Sequence, residues 1–244
     1  MFIQNAWYVA CALSELQGLQ DRPLGRTICN QKIAFFITAD QQVAAVEDFC
    51  PHRGAPMSLG QVCNGHLRCG YHGLLMDGQG QVLEMPQQRV RGFPRTRSFP
   101  VQLRYGFVWV WPGDADRADP ALMPQFDFMS HPDWAYGGGL YHVKADYRLM
   151  IDNLMDLTHE TYVHANSIGQ PELEETPSET LTDGDRVITQ RFMSDIQAPP
   201  FWQMAMQAQG LDPEAKVDRW QICRFRSEEH TSELQSHHDL VCRL

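Results

Sequence analysis

The stretch Cys50–Gly73 reads CPHRGAPMSLGQVCNGHLRCGYHG and packs three cysteines and three histidines into 24 residues. Two short units within it resemble each other, Cys50-Pro51-His52 and Cys69-Gly70-Tyr71-His72. Each supplies one thiolate and one imidazole, and 16 residues separate His52 from Cys69. Gly54, Pro56, Gly70 and Gly73 stand beside these donors. Tight loops around a cluster call for such residues: glycine lets backbone approach closely, and proline presets a turn. Cys63 and His66 fit neither unit and read as a small buried thiol and a loop histidine.

Two centres accept such a donor set. Structural zinc takes two thiolates and two imidazoles, but its usual knuckles are C-x2–4-C and H-x3–5-H. Here each loop mixes the two residue types. A Rieske [2Fe–2S] centre needs that mixture, with two thiolates on one iron and two imidazoles on the other. The spacing C-x-H-x16-C-x2-H favours the Rieske centre, with zinc as the alternative.

The rest of the chain sets bounds. It has 244 residues, 43 % of them hydrophobic and 10 % aromatic, enough for one large or two small cores. A net charge of −10 argues against nucleic acid as a partner. No apolar run approaches the roughly 18 residues of a membrane span. The N-terminus lacks the basic and apolar regions of a secretory signal. A reducing cytoplasm is the expected setting, where the seven cysteines are thiols or ligands rather than disulfides. Cys11, Cys29 and Cys223 read as buried thiols.

Around the motif the pattern is that of a small β-domain. Residues 32–38 and 42–47 flank a turn, 74–85 has the Asp-Gly signal of a hairpin, and 104–111 reads as a closing strand. The proline- and aspartate-rich stretch 111–124 reads as a linker. The tail from 226 to 244, beginning RSEEHTSELQS, looks like a translated sequencing-library adapter. It is expected to be non-native, which removes His230, His237, His238 and Cys242 as ligands.

A second constellation lies in 147–167, YRLMIDNLMDLTHETYVHANS, which has no glycine or proline and is helical in character. It holds Asn153, Asp156, His159 and His164, spaced N-x2-D-x2-H-x4-H. The first three share a helix face. His159 and His164 are about 140° apart on an ideal helix, so a shared metal requires a break, expected between Glu160 and Val163. Two imidazoles and a carboxylate make the facial triad of non-haem iron oxygenases. An electron-transfer cluster beside it gives the pair a purpose. The bland reading is an amphipathic helix with its polar residues in water.

Here the chain resembles a known family, the oxygenase components of Rieske non-haem iron oxygenases, in the vanillate O-demethylase branch. NAWYVA (5–10), VAAVEDFCPHRGAP (43–56), MPQQRVRGFP (85–94), YGFVWVWPGD (105–114), DYRLMIDNLMDLTHETYVHANSIGQ (146–170) and VDRWQICRF (217–225) carry it. The resemblance implies an α+β chain: an all-β Rieske domain at 1–113, then the N-terminal part of an incomplete helix-grip catalytic domain at 114–225. It implies that Cys50, His52, Cys69 and His72 hold the [2Fe–2S] cluster and that His159 and His164 bind a mononuclear Fe(II). Asp156 is implied to bridge His159 to His72 of the partner subunit in a homotrimer, with Asn153 near the iron.

The implied reaction takes O2, two electrons and an aryl methyl ether such as vanillate to the phenol and formaldehyde. Because the sequence carries no flavin or nicotinamide motif, the electrons come from a separate flavin/iron–sulfur NAD(P)H-dependent reductase. Residues 198–206 (APPFWQMAM) are candidates for an apolar substrate wall, and Arg219 and Gln221 for polar substrate contacts. The alternatives are a Rieske oxygenase acting on another aromatic, an electron carrier, or a zinc-stabilised binding module. One departure stands out: in the family the third iron ligand, a carboxylate, comes from a later segment. Asp185, Asp195, Asp212 and Asp218 occupy turn or linker contexts and are not nominated. The chain as given is therefore expected to hold the cluster without turning over.

Overall fold

The computed structural model describes residues 2–134, 141–183 and 186–226. They form two compact units, one up to Trp134 and one from Tyr141. The adapter-like tail beyond 226, with Asp185, lies outside the described residues. No described helix is long and apolar enough to cross a membrane.

The first unit is built of short antiparallel strands: β1 (Tyr8–Ala12), then α1 (Leu13–Gly18), β2 (Leu24–Ile28), β3 (Gln31–Ile37), β4 (Val43–Glu47), β5 (Gln61–Cys63), β6 (His66–Arg68), β7 (Leu75–Met76), β8 (Val82–Glu84), β9 (Val101–Arg104) and β10 (Phe107–Val110). They make three sheets, in the orders β1-β10-β9, β2-β3-β4 and β5-β6-β7-β8. The centre is β3, whose residues Ile33 to Phe36 are all buried. Successive side chains of a strand point to opposite faces. Ala34 and Phe36 accordingly join one core, with Met57, Leu67 and Met76. Ile33 and Phe35 join another, with Leu16, Val108 and Val110. The first of these cores also contains Cys50 and Cys69.

Those two cysteines open loops with one hydrogen-bond plan. The Cys50 amide donates to Ala55 O (2.9 Å), and the Gly54 amide returns to Cys50 O (2.8 Å). The Cys69 amide donates to Leu74 O (2.8 Å), and the Gly73 amide returns to Cys69 O (3.1 Å). Gly54 and Gly73 hold φ of 70° and 76°, a left-handed turn that disfavours any Cβ.

The stretch 111–124 is not a linker. Trp111 and Met123 are buried in one cluster with Trp7 and Trp109, and the Trp7 indole donates to Asp119 O at 2.8 Å. The tryptophan faces need cover, and this segment supplies it. The first unit thus continues past 113, to at least Trp134.

The second unit has α2 (Tyr147–Met155), α3 (Glu160–Val163), α4 (Glu172–Glu175), β11 (Glu179–Asp183), β12 (Arg186–Gln197), α5 (Pro200–Ala208) and β13 (Lys216–Arg226). Its sheet is antiparallel, β11-β12-β13. With the first unit this makes an α+β chain. Leu173, Met193, Ile196, Trp202 and Val217 form the core between sheet and helices. A bulge interrupts β12 between Met193 and Ile196, with Asp195 at φ 56°. Asp218 on β13 secures it, accepting from Ser194 Oγ (2.8 Å) and the Asp195 amide (3.1 Å).

Two outcomes follow from these turns. Gly73→Ala places a Cβ 3.3 Å from Pro86 Cγ in a left-handed turn. It should cost about 1–2 kcal/mol, read by denaturant unfolding. For Asp218, the Ser194 hydroxyl and then the Asp195 amide hold the carboxyl below its usual pKa. Its contribution is therefore complete above the unfolded pKa of about 4 and is lost as pH falls through the folded value. Asp218→Ala should lower Tm at neutral pH, and its gap from the parent should close in acid. A gap that persists at low pH would contradict the assignment.

Candidate metal centres

In the first unit the structure forms two pairs, Cys50 with Cys69 in one core and His52 with His72 ring to ring. Both cysteine side chains are buried in that core cluster. Burial pushes the Cys50 thiol up, and the backbone N–H groups of His52 and Arg53 work against that. The Tyr71 amide donates to Cys69 Sγ at 3.5 Å. The His52 and His72 rings lie 4.7 Å apart at 70°. Burial, then the nearby His72, depress the His52 pKa, so its ring is held neutral, as a ligand imidazole must be.

Nδ1 of His52 is buried with no hydrogen-bond partner. An orphan of that kind costs about 1–3 kcal/mol unless something binds it. Thiols beside thiols and imidazoles beside imidazoles fit a two-iron cluster. Cys63 and His66 are register partners across the β5–β6 hairpin, and Nδ1 of His66, like that of His52, is buried with no hydrogen-bond partner.

In the second unit the helix breaks, but not where the spacing places the break. Glu160–Val163 is itself the short helix α3. The chain leaves α2 at Asp156, which is extended at φ −91° and ψ 103°. Asp156 Oδ1 accepts from the Thr158 amide (2.8 Å) and hydroxyl (2.5 Å), which starts a new turn. An aspartate bonding the backbone two residues on competes with helix continuation, the physical reason for the shifted break. Thr158, then its amide, hold the Asp156 carboxyl below the usual range. The carboxylate therefore faces Thr158, and it is the Asp156 carbonyl that meets His159 Nδ1, at 2.6 Å.

That contact fixes the His159 tautomer. Nδ1 carries the proton that the carbonyl accepts, so Nε2 has the lone pair, which accepts a hydrogen bond from Asn153. Asn153 Nδ2 lies 3.2 Å from that Nε2. His159 and His164 flank α3 with ring centroids 5.3 Å apart. A ring nitrogen with its partner nitrogen anchored to a carbonyl is how metal-binding histidines are usually held. Among the described residues no three His, Cys, Asp or Glu side chains gather around one ion. The pair therefore fits a metal as two imidazoles, without the third protein ligand of a facial triad.

Arg219 and Gln221 have a different place from substrate contact. Both are 1 % exposed and lie in a buried polar network. Arg219 Nη2 pairs with Glu160 Oε2 at 3.2 Å, and Gln221 Nε2 donates to the same oxygen at 2.5 Å. Arg191 Nε donates to Gln221 Oε1 at 2.6 Å. Burial lowers the pKa of both arginines, and Glu160 opposes this in each. Glu160 and Arg191 escaped notice in the sequence. The signal was there: Thr189, Arg191 and Met193 alternate as buried residues of β12, and Arg219, Gln221 and Cys223 do so on β13. A charge in an inward register position marks a buried polar network.

Comparison with known proteins identifies two segments of the chain. The Rieske [2Fe–2S] domain matches residues 6–100, and the vanillate O-demethylase oxygenase C-terminal domain matches residues 143–237. The vanillate O-demethylase oxygenase subunit of Pseudomonas sp. strain HR199 is 60 % identical over 94 % of this chain and 64 % of its own length. The dicamba O-demethylase oxygenase component of Stenotrophomonas maltophilia is 40 % identical over 92 % of this chain and 65 % of its own. A crystal structure of dicamba monooxygenase bound to 3,6-dichlorosalicylic acid superposes with a TM-score of 0.82 at 37 % identity, covering 93 % of this chain and 65 % of that one. The chain thus spans a little under two thirds of the relatives it matches. It carries a Rieske [2Fe–2S] domain followed by a segment of the vanillate O-demethylase oxygenase C-terminal type.

Proposed function

We propose that the protein is the oxygenase component of a two-component aromatic O-demethylase. Its substrate would be a methoxybenzoate such as vanillate, converted to the phenol and formaldehyde. The observation that carries this is the His159–His164 pair, brought together by a broken helix in a chain that also presents the Cys50/Cys69 and His52/His72 pairs. Relatives at 60 % and 40 % identity are oxygenase components of O-demethylases. The balanced reaction is ArOCH3 + O2 + 2 e− + 2 H+ → ArOH + CH2O + H2O.

In this reading Cys50, Cys69, His52 and His72 hold the [2Fe–2S] cluster, and His159 and His164 hold Fe(II). When bound, these groups supply single electrons and O2 activation. The residues of the chain supply placement. The Asp156 carbonyl keeps the proton of His159 on Nδ1, and Asn153 stays beside Nε2. Phe201 and Met204 on α5 are exposed and offer apolar surface to an aromatic ring. The Asp156 carboxylate accepts from Thr158 in this structure, so it would have to turn from Thr158 to His159 to link that ring to a cluster histidine of the partner subunit in a trimer. That link fixes a ligand and gives the electron a short path. The reductase is a separate flavin/iron–sulfur protein, and the setting is cytoplasmic.

The ligand assignment is checked by colour. Cys50→Ser, His52→Ala, Cys69→Ser and His72→Ala should each abolish the red-brown absorption of the purified chain, and Cys63→Ser and His66→Ala should retain it. The activity is checked in a chimera of residues 1–225 with the remaining C-terminal part of the 60 % identical relative. With reductase, NADH and O2 it should release formaldehyde from vanillate, and His159→Ala should abolish the release. The 244-residue chain alone should release none, because two imidazoles without an anionic ligand hold Fe(II) weakly. A cluster-loaded, iron-loaded chimera inactive on every methoxybenzoate would sink the proposal.

A further inference from the structure

We propose that Glu160 is a positioning residue for the metal-binding histidines, held from the sheet by Arg219 and Gln221, with Arg191 bonded to Gln221 behind them. This rests on the reading of His159 and His164 as ligands of one ion. The four-residue α3 cannot hold a shape alone, since a single helical turn has no independent stability. Something outside it must set the spacing of the two rings. Packing on its outer side does not, because Tyr162 and Val163 are 73 % and 70 % exposed. Glu160 is the buried residue of α3, and its side chain is the helix's main tie to the sheet.

The tie runs directly to both histidines. Glu160 follows His159 in the chain, and its carbonyl accepts the His164 amide at 3.0 Å. Its carboxylate is gripped by Arg219 and Gln221 on β13. The same Arg219 guanidinium donates through Nη1 to Ile168 O (2.9 Å) and Gln170 Oε1 (2.8 Å). Arg191 on β12 bonds the carbonyl of Leu157 and, at 2.7 Å, that of Leu173. Thr161 adds a bond to Gln170 O at 3.2 Å. The segment 157–173 is thereby pinned before α3, within it and after it.

A buried ion pair seldom improves stability over an apolar replacement, so its presence calls for another reason. Planar, multi-pronged donors give one that a hydrocarbon cannot, a fixed direction at each anchor. Glu160 thus acts on the metal site through α3 without touching the ion.

The experiment titrates the full 244-residue chain, cluster assembled, with Co(II) up to millimolar concentrations, where a site of two imidazoles still binds, and follows the visible Co(II) bands, with thermal unfolding in parallel. Glu160→Gln removes the charge. Arg219→Lys keeps the charge and loses the fork, and it carries the test if Glu160→Gln does not fold. Both should weaken Co(II) binding about 10- to 100-fold and change the band pattern, as loss of a ligand-orienting group does. A purely structural role would lower Tm and leave the Co(II) affinity and bands of the folded protein as in the parent, and that result overturns the proposal. His159→Ala separates the two levels of the argument. If the parent binds Co(II), His159→Ala abolishes binding and the two network variants match the parent, the clamp alone falls. If the parent binds none, or His159→Ala binds like the parent, the shared-metal reading falls and takes the clamp with it.

Discussion

A sulfur or carboxylate taken out of water must be given hydrogen bonds, and both units of this protein are arranged around that constraint. In the first unit the donors are main-chain amides. The backbone of His52 and Arg53 counters the effect of burial on the Cys50 thiol, and the Tyr71 amide donates to the Cys69 sulfur. Amides point at a sulfur only if the backbone turns tightly around it. That requirement explains the paired loops, their matching bonds and the left-handed glycine in each. The cores on the two faces of β3 then serve as the floor from which the loops rise.

In the second unit the donors are side chains. Glu160 is buried, and the sheet answers with Arg219 and Gln221. Two arginines against one carboxylate leave excess positive charge in an apolar setting. Carbonyls of Leu157, Ile168 and Leu173 absorb it as hydrogen bonds. The outcome is a loop that carries two histidines and is held by backbone and side chain alike. Cys223 lies in the same region, its thiol raised to about 11 by burial and then by Glu160, so it stays protonated.

The two centres differ in how far their ingredients lie apart. Each loop of the first is closed by bonds between residues four or five apart, so one stretch of sequence contains nearly everything that shapes it. The second depends on contacts such as Gln221 with Glu160, 61 positions apart. The imidazoles themselves are close in sequence, but their spacing in space is set from strands far along the chain.

This is where reading the sequence succeeds and where it stops. Residue type determined the donors: thiolate and imidazole in two matching units, and the two histidines of N-x2-D-x2-H-x4-H. The β-strands around the first centre were also legible, because alternation and turn residues are local. That the helix must break was legible from the 3.6-residue period. The place of the break was not, because it depends on Asp156 choosing Thr158 over the helix. Residues 111–124 looked like a linker by composition, and only the uncovered faces of Trp7 and Trp109 made them part of the core. Arg219 and Gln221 looked like substrate contacts because a polar residue on a strand reads as exposed until its partner is known. Their partner, Glu160, came from a distant helix, and burial by distant residues is a property the chain acquires only on folding.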